Sequence, residues 1–380
     1  MIHKVNAHRR TRGFSLVELM ISLALGSVVT VGVIQLFTAN SESYNLLQGQ
    51  SRMQESARFA MNFLGDAARS ARYTGCFSST DDMHTTLNPS FVPYSYDLRS
   101  GVQGYNSSVG LSVWSPSLTT LPRSEGGTDY NVYTYAGQPA DLENGNGIDT
   151  EAVTDGTDVL TLRNMATEDF RLVADLPTST EPVVVGATIA EMGLAVDNMA
   201  VIHDCEKATI FRITSLAESS GQTTIGHDLA DTDNFRNTLE KLALVNTYQD
   251  DAAISRIESN TFFIAEGAGF NESGNKPLSL WRKTGIAAPV ELVEGVENMQ
   301  VLYGVDSDLD EVPNRYAQAN EVVDWNAVVT VRVTLTVNSI DDVGGTTAPT
   351  HGCSIQDCIE GETFDGLLRR DFTQTFHIRN

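Results

Sequence analysis

The longest apolar stretch of the chain lies close to its N-terminus. Residues 14–37 carry a single charge, Glu18, among mostly apolar side chains. About 20 helical residues cross a bilayer, so we expect this stretch to form a membrane-spanning helix. Four basic residues precede it: Lys4, Arg9, Arg10 and Arg12. Positive charge on that side predicts an N-terminus in the cytoplasm, with the remainder of the chain on the far side of the membrane.

A helical pattern continues beyond the apolar stretch. No proline occurs between residues 38 and 73, and apolar residues recur there at steps of three and four. The members of this apolar face are Met53, Ala57, Ala60, Leu64, Ala67 and Ala71. Gly75 follows as a stop signal. We therefore expect one helix over residues 14–73, whose outer half packs on a domain outside the membrane.

Beyond residue 76 the pattern changes to short apolar runs separated by turn residues. Residues 78–150 are rich in Ser, Thr, Asn, Gly and Asp and predict long loops with short strands. Clear strand patterns occur at residues 158–163, 199–202, 209–214, 261–265, 278–282, 299–303, 328–337 and 371–378. Because few helical patterns lie between them, we expect antiparallel pairing. The predicted fold class is α+β, with a long N-terminal helix packed on an antiparallel sheet domain with long loops.

The charge of the chain argues against nucleic acid as a partner. The chain has 380 residues, with 49 acidic against 25 basic ones and a formal net charge of −24. Such an acidic chain is a poor ligand for nucleic acid, and its charge favours solubility outside the cell.

The charge of Glu18 is energetically unfavourable inside this apolar segment. A lone charge in hydrocarbon costs roughly 2.5–3.5 kcal/mol on insertion scales, so it needs a partner or a role. An ordinary secretory signal is the alternative explanation of the segment. Residues 38–40 make a poor signal-peptidase site, however, and a charge inside the apolar region does not suit such a signal.

The residues around Glu18 resemble a known signal. The string Arg12-Gly13-Phe14-Ser15-Leu16-Val17-Glu18 is similar to the type III signal of type IV prepilins and type II secretion pseudopilins. In that family a membrane prepilin peptidase cuts after the glycine and methylates the new N-terminus. The resemblance implies cleavage between Gly13 and Phe14 and N-methylation of Phe14. It also implies an assembly ion pair between Glu18 and the N-terminal amine of a neighbouring subunit.

This resemblance divides the chain into four parts. Residues 1–13 would be the prepilin leader, 14–37 the transmembrane half of the helix and 38–75 its amphipathic half. Residues 76–380 would form a β-rich globular domain on the periplasmic or extracellular side. The pilin family implies a single-pass protein of the inner membrane that later enters the pilus at the cell surface.

Later motifs resemble the PilW family of minor pilins. They are Gly75-Cys76, Asp204-Cys205, the run from Leu292 to Asp306, Asp324-Trp325 and Arg379-Asn380. This resemblance implies a minor pilin that takes part in initiating type IV pilus assembly, in a priming or tip complex that can carry an adhesin. Its implied partners are other minor pilins, the major pilin, the prepilin peptidase and the inner-membrane assembly platform. The alternatives are a J-type pseudopilin of a type II secretion system, which is usually shorter, and a membrane-anchored enzyme or adhesin.

The chain contains four cysteines: Cys76, Cys205, Cys353 and Cys358. An even number in an exported chain favours disulfides, and three pairings are possible. The two C-terminal cysteines are close in sequence and form a natural local pair, which would leave Cys76 to pair with Cys205. A thiolate metal site is the alternative, although this spacing is a poor zinc pattern.

One loop has carboxylates at alternating positions, as calcium loops do. They occupy positions 1, 3 and 5 of the calcium-loop template and are Asp306, Asp308 and Asp310. Val312 could supply a carbonyl at position 7 and Asn314 a ligand at position 9. Position 6 is Glu311 rather than glycine, and position 12 is Ala317 rather than a bidentate acid. An acidic hairpin turn is the alternative, and no cofactor is required by any other motif.

Catalytic motifs are absent from the sequence. It lacks His-Glu-x-x-His, Gly-x-Ser-x-Gly and Gly-x-Gly-x-x-Gly, and residues 269–276 imitate a phosphate loop with Asn275 in place of the lysine. His203 precedes Asp204 and Cys205, but a disulfide would consume that thiol. We therefore expect a structural assembly protein and not an enzyme.

Overall fold

The computed structural model describes most of the chain. The described residues are 15–76, 83–87, 98, 101–107, 114–115, 153–176, 178, 180–228, 237, 248–285, 287–308, 310–343 and 366–378. The elements, in chain order, are α1 (Leu16–Ser70), β1 (Met83–Thr85), β2 (Val102–Ser107), β3 (Trp114–Ser115), β4 (Val159–Arg171), β5 (Val183–Val185), α2 (Ile189–Met192), β6 (Met199–His203), β7 (Ala208–Arg212), β8 (Ser215–Ser219), β9 (Gln222–Gly226), β10 (Ala253–Glu266), β11 (Leu278–Thr284), β12 (Val290–Glu294), β13 (Val296–Val305), β14 (Arg315–Ala317), β15 (Val328–Asn338) and β16 (Arg369–His377).

Helix α1 has 55 residues and is about 80 Å long at 1.5 Å per residue. Its first half is exposed along its whole circumference, with large apolar side chains from Leu16 to Phe37. Hydroxyl groups in this half donate to backbone carbonyls of the preceding turn, as Ser22 does to Glu18 and Thr30 does to Gly26. Such internal bonds satisfy polar groups where a lipid environment offers no water.

The second half of α1 is buried on one face. All six residues of the apolar face predicted from the sequence are buried, and they share one core with apolar side chains of the sheets. Two glycines let the protein approach the helix closely. A Cβ at Gly49 would lie 2.8 Å from Val343, and one at Gly65 would lie 2.8 Å from the Phe376 ring. The second half of α1 therefore packs closely against the globular domain.

The end of α1 comes at Ser70, three residues before the predicted end. Arg72 leaves the helix with a φ of +64°, and its backbone N–H donates to the Arg163 carbonyl at 2.9 Å. Its guanidinium donates to the Trp325 carbonyl. Burial lowers the pKa of Arg72, although nearby Asp324 opposes the change. These contacts turn the chain away from the helix axis toward Gly75, whose φ is +71°.

A four-stranded antiparallel sheet packs under α1, in the order β14-β13-β15-β16. Side chains alternate along β15 because successive residues of a strand point to opposite faces. The apolar members Val331, Val333, Leu335 and Val337 are buried in the core shared with α1. On the other face Thr334 and Thr336 bond to side chains of β16.

A nine-stranded sheet contains most of the remaining strands, in the order β1-β7-β6-β10-β4-β2-β3, with β11 and β12 attached to β10. Strand β10 lies at its centre and pairs with β4, β6 and β11, all antiparallel. The β1–β7 pair is parallel, contrary to the antiparallel expectation. The long connection between these strands, residues 86–207, permits the crossover that a parallel pair needs.

A third, three-stranded sheet has the order β5-β9-β8 and covers a separate apolar core. That core includes Phe211 and Ile254 from the nine-stranded sheet. The four-stranded and nine-stranded sheets meet where Tyr303 of β13 packs on Gly104 of β2. A Cβ at Gly104 would overlap the Tyr303 hydroxyl, so glycine is required for this approach.

Candidate functional site

Glu18 lies in the first turn of α1, and its side chain is exposed. It makes no ion pair within the part of the chain that the structure describes. Gly13 and Phe14, the predicted cleavage and methylation positions, lie outside the described residues. In sequence, Phe14 precedes Glu18 by four residues, the spacing at which helical side chains are neighbours. The charge therefore lies at the membrane end of the helix without a partner from the described domain.

The helix that carries Glu18 is long and apolar enough to cross a membrane, and no other helix among the described residues is. None of its apolar segment is buried against the residues that the structure describes. A surface helix with apolar residues all round needs lipid or another protein around it. The protein is therefore membrane-anchored through α1.

A disulfide joins Cys76, just beyond α1, to Cys205, in the turn between β6 and β7. The two Cα atoms are 5.2 Å apart, and 129 residues separate the cysteines in sequence. This pairing confirms the one expected for these two cysteines. Cys353 and Cys358 lie outside the described residues, so their local pairing stays a prediction.

The turn that holds Cys205 is fixed by polar contacts. The Lys207 ammonium lies 2.6 Å from the Asp204 carboxylate and 5.0 Å from the centre of the Tyr248 ring. Burial raises the pKa of Asp204, but hydrogen bonds from Lys207 and Glu206 outweigh burial and lower it. Tyr248 shares a 2.8 Å hydrogen bond with Thr209. The disulfide thus joins the helix end to a rigid hairpin.

Three polar residues of neighbouring strands form a cluster that the sequence pattern did not indicate. The Ser255 hydroxyl lies 2.8 Å from His203 Nε2 and donates to Asp169 Oδ1 at 2.5 Å. The arrangement differs from a nucleophile triad, in which the carboxylate bonds the other ring nitrogen of the histidine. Ser255 is also completely buried. The cluster therefore bridges β6, β10 and β4 and does not present a nucleophile to a substrate.

Asp158 is a second buried polar residue that joins separate elements. Its carboxylate accepts backbone N–H bonds from Ser107 at 2.9 Å and from Val301 at 2.8 Å. Burial raises the pKa of Asp158 to about 7, although both bonds act in the opposite direction. The sequence placed this residue only at the start of a strand. An acid directly before an apolar run is the signal that could have marked it.

The acidic loop brings its three carboxylates together. Oxygens of Asp306, Asp308 and Asp310 lie within 4.8 Å of one another. Glu311, where calcium loops have glycine, takes a φ of +66°, and its N–H donates to Asp306 Oδ2 at 2.8 Å. The Asn314 side-chain oxygen accepts from Ser307, and Ala317 is buried in β14. The loop thus brings three carboxylates together, but it lacks a bidentate acid at position 12 of the calcium-loop template.

Comparison with known proteins identifies two segments of the chain. Residues 261–380 match the family model described as Type IV Pilus-assembly protein W. Residues 8–34 match the model of the prokaryotic N-terminal methylation motif, which includes Gly13, Phe14 and Glu18. No curated protein and no solved structure matches the chain.

The two matched segments correspond to distinct parts of the fold. The methylation motif ends within the exposed half of α1, and the PilW segment runs from the middle of β10 through the four-stranded sheet. Together they confirm both resemblances that the sequence motifs indicated. The C-terminal third of the chain is thus similar to PilW proteins and its N-terminus to the prepilin methylation motif, and together they support a type IV pilus-associated minor pilin.

Proposed function

We propose that this protein takes part in initiating type IV pilus assembly, within a priming or tip complex of minor pilins. The observation that carries the proposal is the combination of a prepilin-type N-terminus and a PilW segment on one chain. The apolar half of α1 supports it, because this half has no partner among the described residues and must be covered by lipid or by protein. PilW proteins are structural pilin-type proteins, which agrees with an assembly role.

Docking at the membrane would depend on Glu18. After cleavage behind Gly13, the amine of Phe14 becomes a cation four residues from this carboxylate. A buried charge in hydrocarbon is stabilised by an opposite charge close by. In the proposed assembly, Glu18 of an incoming subunit pairs with the N-terminal amine of its neighbour, which sets the register between the two helices.

The remainder of the proposal concerns location and partners. Basic residues on the N-terminal side favour an N-terminus in the cytoplasm and a globular domain in the periplasm. From there the protein would meet the assembly platform of the inner membrane, other minor pilins and the major pilin. A tip complex would carry it to the cell surface, where an adhesin can be attached.

A deletion strain of the source bacterium tests this function. Loss of the gene should reduce the number of surface pili, and the full-length protein supplied in trans should restore them. Sheared pili should contain the protein in small amounts. Secretion of type II substrates is measured in parallel. Lost secretion with normal pili would contradict the proposal and would favour the J-type pseudopilin.

We also propose that the acidic loop between β13 and β14 binds Ca²⁺. Support comes from the three gathered carboxylates and from the left-handed conformation of Glu311, which reproduces the turn of a calcium loop without its glycine. The carbonyl of Val312 would be a further ligand. Because position 12 has no acid, we expect the weak affinity that extracellular calcium modules have.

A further inference from the structure

Strand β16 is an edge of the four-stranded sheet and is nine residues long. Among the described strands it pairs with β15 alone. The opposite edge is β14, which has only three residues. A long exposed edge is a template for pairing with another strand, and proteins usually shorten or cover it. Within the described part of the chain, the β16 edge is therefore the larger open edge of this sheet.

The register of β16 shows which backbone groups face outward. The Ile378 N–H donates to Val329, and the Ser339 N–H donates to Leu368, so the even-numbered residues of β16 bond to β15. In an antiparallel pair the alternate residues direct their N–H and C=O groups away from the partner. In β16 these residues include Asp371, Thr373 and Thr375.

A groove of about 560 Å³ runs beside this edge, between β16 and the outer half of α1. Ala57 and Met61 of α1 and Phe372 of β16 give it an apolar lining. Side chains of an added strand alternate between the two faces of the sheet, so every second one would point toward this groove. An added strand could therefore use both backbone bonds and side-chain contacts, as in strand-addition recognition.

Two arginines line the same groove, one on each element. Arg58 stands on α1 and Arg370 on β16, and both are exposed. Each guanidinium lies near an aromatic ring, 5.3 Å from the centre of Phe59 and 5.5 Å from that of Phe372. Neither makes an ion pair with any described residue. In a chain with 49 acidic and 25 basic residues, two cations without carboxylates beside one groove indicate an acidic ligand.

We propose that β16 and this groove accept an extended acidic segment of a different subunit, which pairs with the β16 edge and directs carboxylates toward Arg58 and Arg370. This proposal names a partner chemistry for the proposed assembly function and rests on it. A second copy of this chain fits less well, because pairing through the same edge would bring a second arginine-lined groove to the joint. Charge complementarity therefore favours a heterologous partner.

Binding of a labelled peptide to the full-length protein in detergent micelles tests the proposal. The probe is as long as β16 and alternates valine with glutamate, and its control alternates valine with lysine. We expect the glutamate peptide to bind the unaltered protein and the lysine peptide to bind at least about tenfold more weakly, a difference of about 1.4 kcal/mol. No binding of the glutamate peptide at millimolar concentration would overturn the proposal, as would equal binding of both peptides.

The edge itself is tested by Thr375→Pro, with Thr375→Ala as the matched control. Both substitutions remove the hydroxyl that accepts a hydrogen bond from Arg332. Proline alone also removes an N–H that points to the open edge, a position where sheets tolerate it. We expect the proline variant to bind the glutamate peptide about tenfold more weakly than the alanine variant, from one lost backbone bond. Equal affinities of two folded variants would overturn the proposal.

The arginines give an independent test if the proline variant does not fold. The double variant Arg58→Gln with Arg370→Gln should lose the preference for glutamate over lysine peptides, whereas Arg69→Gln, elsewhere on α1, should keep it. Retained preference in the double variant would overturn the proposal. Self-association that Thr375→Pro abolishes would also overturn it, because the partner at the edge would then be a second copy of this chain. Peptide binding only after deletion of residues 344–365 would overturn it too, because the occupant of the edge would then be a segment of the same chain. The number of pili in the deletion strain is measured without these peptides, so failure of peptide binding can be told apart from failure of the proposed function.

Discussion

The Asp158 carboxylate accepts the backbone N–H of Val301 at 2.8 Å, and this bond joins the two large sheets. Its other oxygen accepts from Ser107, at the end of β2. One side chain thus connects β2 and β4 of the nine-stranded sheet to β13 of the four-stranded sheet under α1. A buried acid in such a position couples the stability of the globular domain that follows α1, here called the head, to pH.

Stability should fall as pH rises toward neutrality through Asp158. Burial raises its pKa from 3.8 in the unfolded chain to about 7 in the folded one, so the folded state holds the proton more tightly. Its contribution is fully present below about pH 4 and is lost as pH rises to about 7. Replacement by asparagine should remove this contribution. Melting temperatures of both proteins between pH 4.5 and 7.5 measure the difference.

Asp155→Asn is the matched control, because Asp155 is exposed in the same turn. The Asp158→Asn variant should be less stable than the unaltered protein at pH 4.5, by about 1–3 kcal/mol, because an amide group would face a backbone N–H. This difference should shrink as pH rises toward 7.5, because only the unaltered protein loses stability there. A variant with the same pH profile as the unaltered protein would refute the role given to Asp158.

Reduction of the disulfide should destabilise the head. Replacing both Cys76 and Cys205 by serine should lower the free energy of unfolding by about 2–5 kcal/mol, because the bond closes a long loop in the unfolded chain. Chemical denaturation of the full-length protein in detergent measures this change. The variant Cys353→Ser with Cys358→Ser is the comparison, and a local loop should give a smaller loss.

Peptide mapping without reductant tests the connectivity. It should recover one peptide that joins Cys76 to Cys205 and one that contains Cys353 bonded to Cys358. Recovery of a link between a C-terminal cysteine and Cys76 would contradict the predicted pairing.

Gly104 should tolerate no side chain. Alanine there would overlap the Tyr303 hydroxyl and force the two sheets apart, at a cost of about 1–3 kcal/mol. In the Tyr303→Leu background the same substitution should cost less, because the hydroxyl and the ring carbons that overlap the added Cβ are absent. A double-mutant cycle from denaturation curves measures the coupling, and strict additivity of the two changes would exclude the overlap.

Calcium should stabilise the head through the β13–β14 loop. Millimolar Ca²⁺ should raise the melting temperature of the unaltered protein, since a ligand that binds only the folded state stabilises it. The variant Asp308→Asn with Asp310→Asn should lose this response, whereas the same change at Asp250 and Asp251 should keep it. An unchanged melting temperature on adding Ca²⁺ and then a chelator would exclude the site.

Periodicity in the sequence predicted the parts of the fold that an amphipathic pattern determines. All six residues predicted for the buried face of α1 are buried, and the structure adds four that the pattern did not include: Gly49, Met61, Gly65 and Ala68. The predicted strands over residues 261–265 and 328–337 lie within β10 and β15. In each case the same side chains that form the pattern also form the core, so local sequence and tertiary packing agree.

Tertiary contacts determine the features that the sequence did not predict. Strand β4 extends through polar residues to Arg171 because β10 pairs with it over that length. The end of α1 at Ser70 follows from contacts of Arg72 with distant residues. The positions of Asp158 and of the His203–Ser255–Asp169 cluster depend on which strands become neighbours. The sequence contains these residues, but it does not show which of them become neighbours in the folded protein.

The incorporation of Glu18→Ala into pili tests the assembly account most directly. The variant and a Val17→Ala control are expressed in the deletion strain, and the amount of each in sheared pili is compared with the amount left in membranes. We predict that the control enters pili normally, whereas the Glu18 variant is cleaved after Gly13 but remains in the membrane. Normal entry of the Glu18 variant into pili would contradict the proposed ion pair with the Phe14 amine.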